Sequence, residues 1–447
     1  MTDFSMLGLK PKLLDVLKDI NIETPTPIQA RAIPEVMQGR DVMGLAQTGT
    51  GKTLAFGLPL MHMCYSDGSK PSPKTVRALI LAPTRELVNQ IADGLFPFIK
   101  GSHLKLNRVV GGVSINTQIN RLERGTDILV ATPGRLMDLI DRKAVRLDET
   151  TFLVLDEADQ MLDMGFIHAL RKLVPMLAKE RQTMLFSATM SKQMNEIAQS
   201  YLSSPVRIEV SPPGKAADKI AQEVHFIPQP EKFELLKELL CDHSDELALV
   251  FARTKHGAER LSKNLQRDGF EAGSIHGNKS QGQRERTLKE AKSGKIKVLV
   301  ATDVAARGID IPAVRHVYNF ELPNVPENFV HRIGRTARAG RDGKAVAFCS
   351  PTELDEFRAI EKVMKLRIPI ATAASWAADG MKAEPKPKKP QGGRRGGGGR
   401  PGGPGGQPGA GKPGGRRRGG KPGGNGGAPK GSGKHASGRP PRQKQRG

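Results

Sequence analysis

The chain has 447 residues, with 70 Lys and Arg against 46 Asp and Glu, a formal net charge of +24 and few aromatic residues. This length predicts two or three domains, and the positive charge favours a polyanionic partner, most simply nucleic acid. Three widely spaced cysteines argue against a disulfide framework or a cysteine metal site, and no run approaches the roughly 18 apolar residues of a membrane span, so we expect a soluble cytoplasmic protein without a membrane partner.

Short apolar runs alternate with helical patterns in two successive series. Runs of Val, Ile and Leu separated by helices are typical of parallel sheets covered on both faces. A Pro- and Gly-rich break at residues 211–214 separates the two series. The predicted strands are 41–45, 78–81, 127–130, 151–155 and 183–186 before the break, and 247–251, 273–275, 297–300, 316–319 and 345–349 after it. The predicted fold is therefore α/β with two parallel-sheet domains at 1–210 and 219–370, joined by a linker at 211–218.

The C-terminal segment, residues 371–447, has a different composition from the rest. From Lys382 onward it contains 18 Lys and Arg against the single acid Glu384, and it therefore carries +17 of the net charge of +24. Beyond about Pro385 it consists mainly of Gly, Pro, Lys and Arg, a composition that predicts a disordered tail. Its charge density favours sequence-tolerant RNA binding, and a solubilising linker is the alternative.

A phosphate-binding loop is predicted between the first strand and the next helix. Small residues allow successive backbone N–H groups to surround the phosphates, while Lys52 supplies positive charge and the Thr53 hydroxyl faces Mg²⁺. Ala46 stands where the general pattern has Gly. The nucleotide-binding residues of this loop are Ala46, Gln47, Thr48, Gly49, Thr50, Gly51, Lys52 and Thr53.

A second motif, Asp156 to Asp159 (DEAD), follows the apolar run at 152–155. By itself such a motif could be a charged turn after a core strand. A carboxylate at the end of a buried strand is, however, the distant partner that a nucleotide-bound metal needs. Because both motifs occur in this order and each follows a strand, we predict a nucleoside triphosphate and Mg²⁺, with Thr53 and Asp156 as the metal ligands.

Further short motifs occupy both halves of the chain. They are PTPIQ at 25–29, PTREL at 83–87, TPGR at 132–135, SAT at 187–189, ATDVAARGID at 301–310 and HRIGRTAR at 331–338. Together with the two nucleotide motifs they resemble, over roughly residues 4–366, the DEAD-box ATP-dependent RNA helicases, most closely the bacterial RhlE-like branch. The resemblance implies two tandem RecA-like domains, ATP and Mg²⁺ as cofactors, and RNA as partner.

Several nucleotide contacts follow from this resemblance. An amide can donate to N7 and accept from N6 of adenine, so Gln29 is expected to select ATP. Phe4 matches an upstream aromatic of the family, and Ile22 stands where many members have an aromatic ring. Asp310 is expected to contact the ribose.

Catalytic and coupling roles are implied in the same way. Lys52 and Asp156 neutralise charge, and Glu157 orients and deprotonates the attacking water. Arg335 and Arg338 are expected to reach the γ-phosphate; their spacing predicts one helical face, for which a solvated basic surface is the alternative. Ala337 replaces a common Gly, a change that we expect to be tolerated. The residues expected to couple the two domains are Asp159, Ser187, Thr189, Asp303 and His331.

The remaining motif residues are expected to bind RNA through its backbone. Hydroxyls, glycine N–H groups and helix N-termini are phosphate ligands that carry no base specificity, and 2′-OH contacts would favour RNA over DNA. The expected RNA-binding residues are Thr84, Arg85, Gly111, Gly112, Thr132, Pro133, Gly134, Arg135, Arg253, Gln281, Arg284 and Thr302.

The predicted function is ATP-dependent unwinding of short RNA duplexes and remodelling of RNA or RNA–protein complexes. Two alternatives stay open at this point: a translocating DNA helicase, and an RNA chaperone or clamp that acts mainly through the basic tail. As a group, RhlE-like proteins suggest ribosomal precursors or the RNA-decay machinery as partners.

Overall fold

The computed structural model describes residues 3–46, 49–210, 220–308, 311, 314–337 and 342–374. The strands are β1 (Val42–Leu45), β2 (Val76–Leu81), β3 (Leu106–Val109), β4 (Thr126–Ala131), β5 (Phe152–Leu155), β6 (Gln182–Ser187), β7 (Val206–Glu209), β8 (Ile220–Phe226), β9 (Leu247–Phe251), β10 (Ala272–Ile275), β11 (Val298–Ala301), β12 (Val314–Asn319), β13 (Gly343–Cys349) and β14 (Ile370–Thr372). The helices are α1 (Pro11–Asp19), α2 (Pro27–Met37), α3 (Lys52–Asp67), α4 (Arg85–Ile99), α5 (Ile115–Leu122), α6 (Pro133–Asp141), α7 (Ala158–Asp163), α8 (Ile167–Leu173), α9 (Lys192–Tyr201), α10 (Lys232–Cys241), α11 (Lys255–Arg267), α12 (Gln281–Lys292), α13 (Asp303–Ala306), α14 (Glu327–Ile333) and α15 (Leu354–Met364).

The strands form two seven-stranded sheets, which define lobe 1 (residues 3–210) and lobe 2 (residues 220–374). The strand orders are β3-β4-β2-β5-β6-β1-β7 and β10-β11-β9-β12-β13-β8-β14. Every pair of neighbouring strands is parallel. Consecutive strands of a parallel sheet need a crossover, and the helices that supply it cover the faces of the sheet.

Each sheet separates two apolar cores because successive side chains of a strand point to opposite faces. In β2, Ala78 and Ile80 belong to one core of lobe 1, whereas Leu79 and Leu81 belong to the other. In lobe 2, Leu249 and Phe251 of β9 pack on one face, while Ala248 and Val250 pack on the opposite face. Both lobes are thus sheets buried on both faces, as the continuous apolar runs predicted.

All ten predicted strands are present, with ends displaced by at most two residues. Four further strands, β3, β7, β8 and β14, were missed. Three of these lie at sheet edges, where polar residues such as Asn107 and Arg207 replace the apolar run. β8 alternates apolar with polar residues, a weaker signal than a continuous run.

Three other expectations concern the end of the second domain, the linker and tail, and the absence of a membrane span. β14 extends past residue 370, so the second sheet reaches into the segment predicted as tail. The predicted linker at 211–218 and the tail beyond residue 374 lie outside the described residues. Within the described part of the chain, no helix is both long and apolar enough to cross a membrane.

Candidate nucleotide and RNA sites

The phosphate-loop lysine lies beside the first carboxylate of the DEAD motif. Lys52 is the first residue of α3, and its Nζ donates a hydrogen bond to the Ala46 carbonyl oxygen at 3.2 Å. The same Nζ lies 3.7 Å from Oδ1 of Asp156, which follows β5. Both residues are almost fully buried, with 6% and 2% of their surface exposed. Gln47 and Thr48 lie outside the described residues.

Gly51 is required in this loop by both its conformation and its surroundings. Its φ of +93° lies in the left-handed region, which favours glycine. A Cβ at this position would also lie 2.6 Å from Nε2 of Gln29. The loop therefore packs directly on the Gln29 amide.

Gln29 joins the start of α2 to the phosphate loop. Its Oε1 accepts a hydrogen bond from the Thr26 backbone N–H at 2.9 Å, and its Nε2 donates to the Gly51 carbonyl at 2.9 Å. An amide oxygen accepts two hydrogen bonds and an amide nitrogen donates two, so each atom retains the capacity for one more. One further acceptor and one further donor are what adenine recognition would require.

The two apolar residues predicted near adenine occupy different environments. Phe4 is 3% exposed and belongs to a core of lobe 1. Ile22 is half-buried and packs against the same core. Ile22 therefore keeps accessible surface, whereas Phe4 contributes packing.

The DEAD carboxylates are concentrated in a buried, strained turn. Burial raises the pKa of Asp156, and the Lys52 charge opposes this only partly. Glu157 has φ of +52°, a left-handed conformation that is costly for a residue with a side chain and recurs at functional sites. A buried carboxylate beside a single lysine is a suitable environment for a further cation. The residues present thus fit Mg²⁺, although the described residues contain no cluster of three or more His, Cys, Asp and Glu arranged to hold a metal by themselves.

Asp159 connects the DEAD motif to the SAT motif. Its Oδ2 accepts hydrogen bonds from the Ala188 N–H at 3.0 Å, the Thr189 N–H at 2.9 Å and the Thr189 hydroxyl at 3.1 Å. The Ser187 hydroxyl in turn donates to the Thr189 carbonyl at 2.6 Å. Burial lowers the pKa of His331, in α14 of lobe 2, and the negative charge of Asp159 opposes that effect. Asp159 therefore interacts with both its own lobe and lobe 2.

Two ion pairs and a close backbone approach connect the lobes. Nε of Arg284 lies 2.9 Å from Oε1 of Glu86, and Nη2 of Arg307 lies 3.0 Å from Oδ2 of Asp163. Gly308, with φ of +68°, approaches α4 so closely that a Cβ would lie 2.9 Å from Cβ of Leu87. Sequence reasoning did not select Glu86, Asp163, Arg307 or Gly308, because no local signal pairs residues that lie more than a hundred positions apart.

Three of the predicted RNA-binding arginines converge near the contact between the lobes. Arg85 lies against the Gly111–Gly112 turn, where an added Cβ on Gly111 would be 3.1 Å from Nη2 of Arg85. Burial lowers the pKa of Arg85, and the nearby charges of Arg284 and Arg135 add to this effect. Arg135 donates to the Val113 carbonyl at 3.1 Å. Positive charge from both lobes is thus gathered beside the Gly111–Gly112 turn.

The other predicted RNA residues lie at the starts of helices or inside local networks. Thr84, Thr132 and Thr302 precede α4, α6 and α13, and Pro133 and Gly134 form the first turn of α6. Gln281, the first residue of α12, donates to Glu285 at 2.9 Å. These threonines are at the carboxyl ends of strands, where helix N-termini favour anions.

The expectation of two arginines on one helical face is wrong for Arg335. Helix α14 ends at Ile333, and Arg335 lies in the following turn, 6% exposed, with Nε donating to the His331 carbonyl at 3.3 Å. Ala337 has φ of +54°, which explains why glycine suits this position and implies a cost of roughly 1–2 kcal/mol. Arg338 and Asp310 lie outside the described residues.

Arg332, which the sequence did not single out, is the most extensively bonded arginine near this turn. Its side chain is 1% exposed, and its Nε and Nη2 donate to the two oxygens of Asp303 at 2.5 and 2.8 Å. Nη1 donates to Asn319 Oδ1 at 3.0 Å and to the Glu321 carbonyl at 2.7 Å. Through Arg332, Asp303 is therefore connected to the turn that carries Arg335.

Comparison with known proteins matches both lobes to helicase domains. The DEAD/DEAH box helicase model matches residues 26–197, and the helicase conserved C-terminal domain model matches residues 231–340. The chain belongs to the DEAD-box ATP-dependent RNA helicase family. It is 43% identical over 376 residues to the ATP-dependent RNA helicase CshA of Listeria monocytogenes, covering 84% of this chain and 71% of that protein. It is also 43% identical over 368 residues to CshA of Bacillus cereus, covering 82% and 69%.

Solved DEAD-box structures share the architecture of both lobes. Yeast Dbp5 bound to RNA and ADP BeF3 is 31% identical, with a TM-score of 0.74, over 85% of this chain and 98% of that one. Mss116 bound to ssRNA and UDP-BeF is 27% identical, with a TM-score of 0.75, over 83% and 79%. The predictions of two RecA-like domains and of an RNA helicase are confirmed: this DEAD-box protein is an ATPase that unwinds RNA. The RhlE-like branch stays a prediction.

Proposed function

We propose that Lys52, Asp156 and Glu157 form the ATP-hydrolysing centre of this helicase. The observation that carries the proposal is the buried approach of Lys52 Nζ to Asp156 Oδ1 at 3.7 Å, next to the left-handed Glu157. Phosphoryl transfer depends mainly on positioning and charge neutralisation, and buried charges act strongly there. The loop from Ala46 to Thr53 cradles the phosphates, Lys52 neutralises them and Glu157 accepts the proton of the attacking water.

Thr53 and Asp156 would hold Mg²⁺. Their oxygens suit this hard cation, which binds through one or two carboxylates and the nucleotide phosphates. When bound, Mg²⁺ neutralises the phosphate charge. The adenine would lie against Ile22 and the free hydrogen-bonding positions of Gln29, with Phe4 supporting the wall and Asp310 contacting the ribose.

Lobe 2 completes the site when the lobes close on ATP and RNA. Arg335 and Arg338 supply positive charge to the γ-phosphate, and such arginines are worth roughly 10³–10⁵ in rate in related systems. Asp159, Ser187, Thr189, Asp303 and His331 couple this closure to the RNA-binding surface. Closure bends one RNA strand and separates a short duplex, and hydrolysis reopens the lobes.

Replacing Lys52 and Glu157 tests the assignment because the two residues act at different stages. Lys52→Ala should weaken ATP binding and abolish turnover, because the lysine contacts ground-state phosphates. Glu157→Gln should bind ATP and RNA normally but lower turnover by about 10² or more, since it acts on the attacking water. The measurements are nucleotide Kd and RNA-stimulated ATPase rate, with Glu180→Gln on the lobe 1 surface as the control. Near-normal turnover by Glu157→Gln would refute the assignment.

We further propose that RNA crosses the cluster of Arg85, Arg135 and Arg284. We also propose that the basic tail acts as a tether for RNA. Deleting residues beyond about Pro385 should leave ATPase turnover at saturating RNA nearly unchanged. Apparent RNA affinity should fall, and its salt dependence should become shallower, because fewer phosphates are neutralised. An unchanged salt slope in RNA titrations would leave the tail a solubilising role, and loss of turnover at saturating RNA would implicate it in closure.

The cellular role that we propose is the remodelling of ribosomal precursors or of RNA undergoing decay in the cytoplasm, as an RhlE-like protein. The support is the resemblance of the motifs and the absence of any base-edge reader among the predicted RNA contacts. Crosslinking bound RNA in cells and sequencing it tests this role. Enrichment of intact messenger RNA, without ribosomal precursors or decay intermediates, would contradict it.

A further inference from the structure

A buried charge network in lobe 2 lies directly behind Arg253, one of the predicted RNA contacts. Lys232, the first residue of α10, is 0% exposed, and its Nζ donates to Glu353 Oε2 at 2.5 Å. The same ammonium donates to the carbonyls of Phe320 at 3.0 Å and Phe348 at 3.1 Å. Lys232 thus connects α10 to the carboxyl ends of β12 and β13.

The Glu353 carboxylate is saturated with donors. Its Oε2 also accepts from the Ser350 N–H at 3.0 Å and hydroxyl at 2.7 Å, while Oε1 accepts from the Leu322 N–H at 3.0 Å and from Arg253 Nη2 at 3.1 Å. Burial acts to raise the pKa of Glu353, but the Lys232 charge and these hydrogen bonds hold it below its ordinary value. A carboxylate fixed in this way is a rigid acceptor.

Arg253 is held along one edge of its guanidinium group and open along the other. Nε and Nη2 donate to the Leu322 carbonyl at 3.2 and 3.0 Å, and Nη2 also donates to Glu353. Among the described residues, Nη1 has no protein acceptor, and the side chain is one-third exposed. Arg253 follows β9, and Thr302 follows the adjacent strand β11, so both residues stand at the carboxyl edge of the sheet, where the other RNA contacts are predicted.

We infer that Glu353, held in place by its ion pair with Lys232, is a positioning residue that orients Arg253 toward an RNA phosphate. An arginine oriented in advance loses less side-chain freedom when it binds phosphate, and that difference appears as affinity. Glu353 itself contacts no nucleotide in this arrangement. The inference rests on the proposed RNA role of Arg253.

A matched pair of double variants tests whether the Glu353 oxygen matters. Lys232→Met/Glu353→Gln keeps an acceptor facing Arg253, whereas Lys232→Met/Glu353→Leu removes it, and neither leaves an unpaired buried charge. RNA affinity should stay near wild type in the first variant and fall about ten-fold in the second. In the second variant, the slope of log RNA affinity against log salt concentration should become shallower by about 0.7, the value for one lost single-strand phosphate contact. ATP Kd without RNA should be the same in both. Equal RNA affinity of the two variants would overturn the inference.

The Arg253→Ala background separates this inference from the RNA role itself. If Glu353 acts through Arg253, the two double variants should bind RNA equally in that background. A persisting difference would show that Glu353 acts elsewhere, and would leave the RNA role of Arg253 standing. If Arg253→Ala alone binds RNA like the wild type, the RNA role fails and the inference falls with it.

Thermal unfolding of every variant shows whether lobe 2 is folded. Should the Leu variant not fold, Glu353→Asp takes its place, because it keeps the charge beside Lys232 but shortens the reach to Arg253. It should lower RNA affinity in the same direction. Wild-type affinity of folded Glu353→Asp would overturn the inference.

Discussion

The two lobes have the same strand order but use equivalent positions for different purposes. In each lobe the helix after the first strand begins with a lysine, Lys52 in α3 and Lys232 in α10. Nζ of Lys52 donates to one carbonyl and lies 3.7 Å from a carboxylate oxygen, whereas Nζ of Lys232 donates to two carbonyls and to a carboxylate oxygen at 2.5 Å. One lysine can turn to a phosphate, and the other is fully engaged by the protein.

The loops that precede these lysines explain the difference. Lobe 1 has Gly49 and Gly51 in left-handed conformations, so backbone N–H groups can turn toward an anion. Lobe 2 has Pro228 and Pro230 before Lys232, and proline has no N–H to donate. The same topology therefore carries the proposed phosphate site in one lobe and a structural ion pair in the other, so the two lobes differ in their loops and not in their sheets.

The largest stability effect should come from the structural lysine. Lys232→Met leaves the Glu353 carboxylate buried without its main partner and should lower the free energy of unfolding of lobe 2 by about 3–5 kcal/mol. Lys52→Met should cost much less, because the raised pKa of Asp156 allows it to take up a proton. Denaturant unfolding of both variants measures this, and Lys232→Met/Glu353→Gln should recover most of the loss. Equal losses for the two lysines would remove the distinction between the lobes.

An intermediate effect should come from blocking the contact between the lobes. Gly308→Ala places a methyl group against Leu87 of lobe 1 in a left-handed conformation. RNA-stimulated ATPase should fall about ten-fold or more, equivalent to 1.4 kcal/mol or more in the barrier. ATP Kd without RNA should not change, because the phosphate loop and Gln29 belong to lobe 1 and lobe 2 is proposed to complete the site only when the lobes close on ATP and RNA.

Gly277→Ala is the matched control for Gly308→Ala. Gly277 is also in lobe 2, and a Cβ there would meet nothing within 4 Å. Its ATPase rate should equal that of the wild type. If Gly308→Ala were as active as this control, the close approach of the lobes would not be part of the catalytic cycle.

The smallest effect concerns the adenine side of lobe 1. Ile22 is half-buried and can pack on a base but cannot stack as an aromatic ring. Ile22→Phe should tighten ATP binding by up to about 1 kcal/mol, the scale of aromatic stacking beyond area burial. The measurement is nucleotide Kd, with Ile20→Phe as a nearby exposed control. An unchanged or weaker Kd would mean that another group covers the adenine.

Much of the fold, and the chain positions of the residues that form the candidate nucleotide site, could be predicted from the sequence because both depend on local patterns. Apolar runs predicted every central strand of lobe 1, and the spacing of Gly49, Gly51 and Lys52 predicted a loop that the structure places after β1. The edge strands β3, β7 and β14 were missed, since a strand with one open side needs fewer apolar residues. Helix α14 was expected to continue to Arg335, but it ends at Ile333.

Contacts between distant residues were decided by the tertiary structure alone. The amide of Gln29 reaches Gly51, Arg284 pairs with Glu86, and Glu353 holds Arg253. No periodicity or motif encodes such pairs, because their partners meet only after helices, strands and lobes have packed together. The sequence thus determined which chemical groups are present and on which elements they stand. The packing of those elements decided which groups share a hydrogen bond, and therefore which lysine is available to a phosphate and which is not.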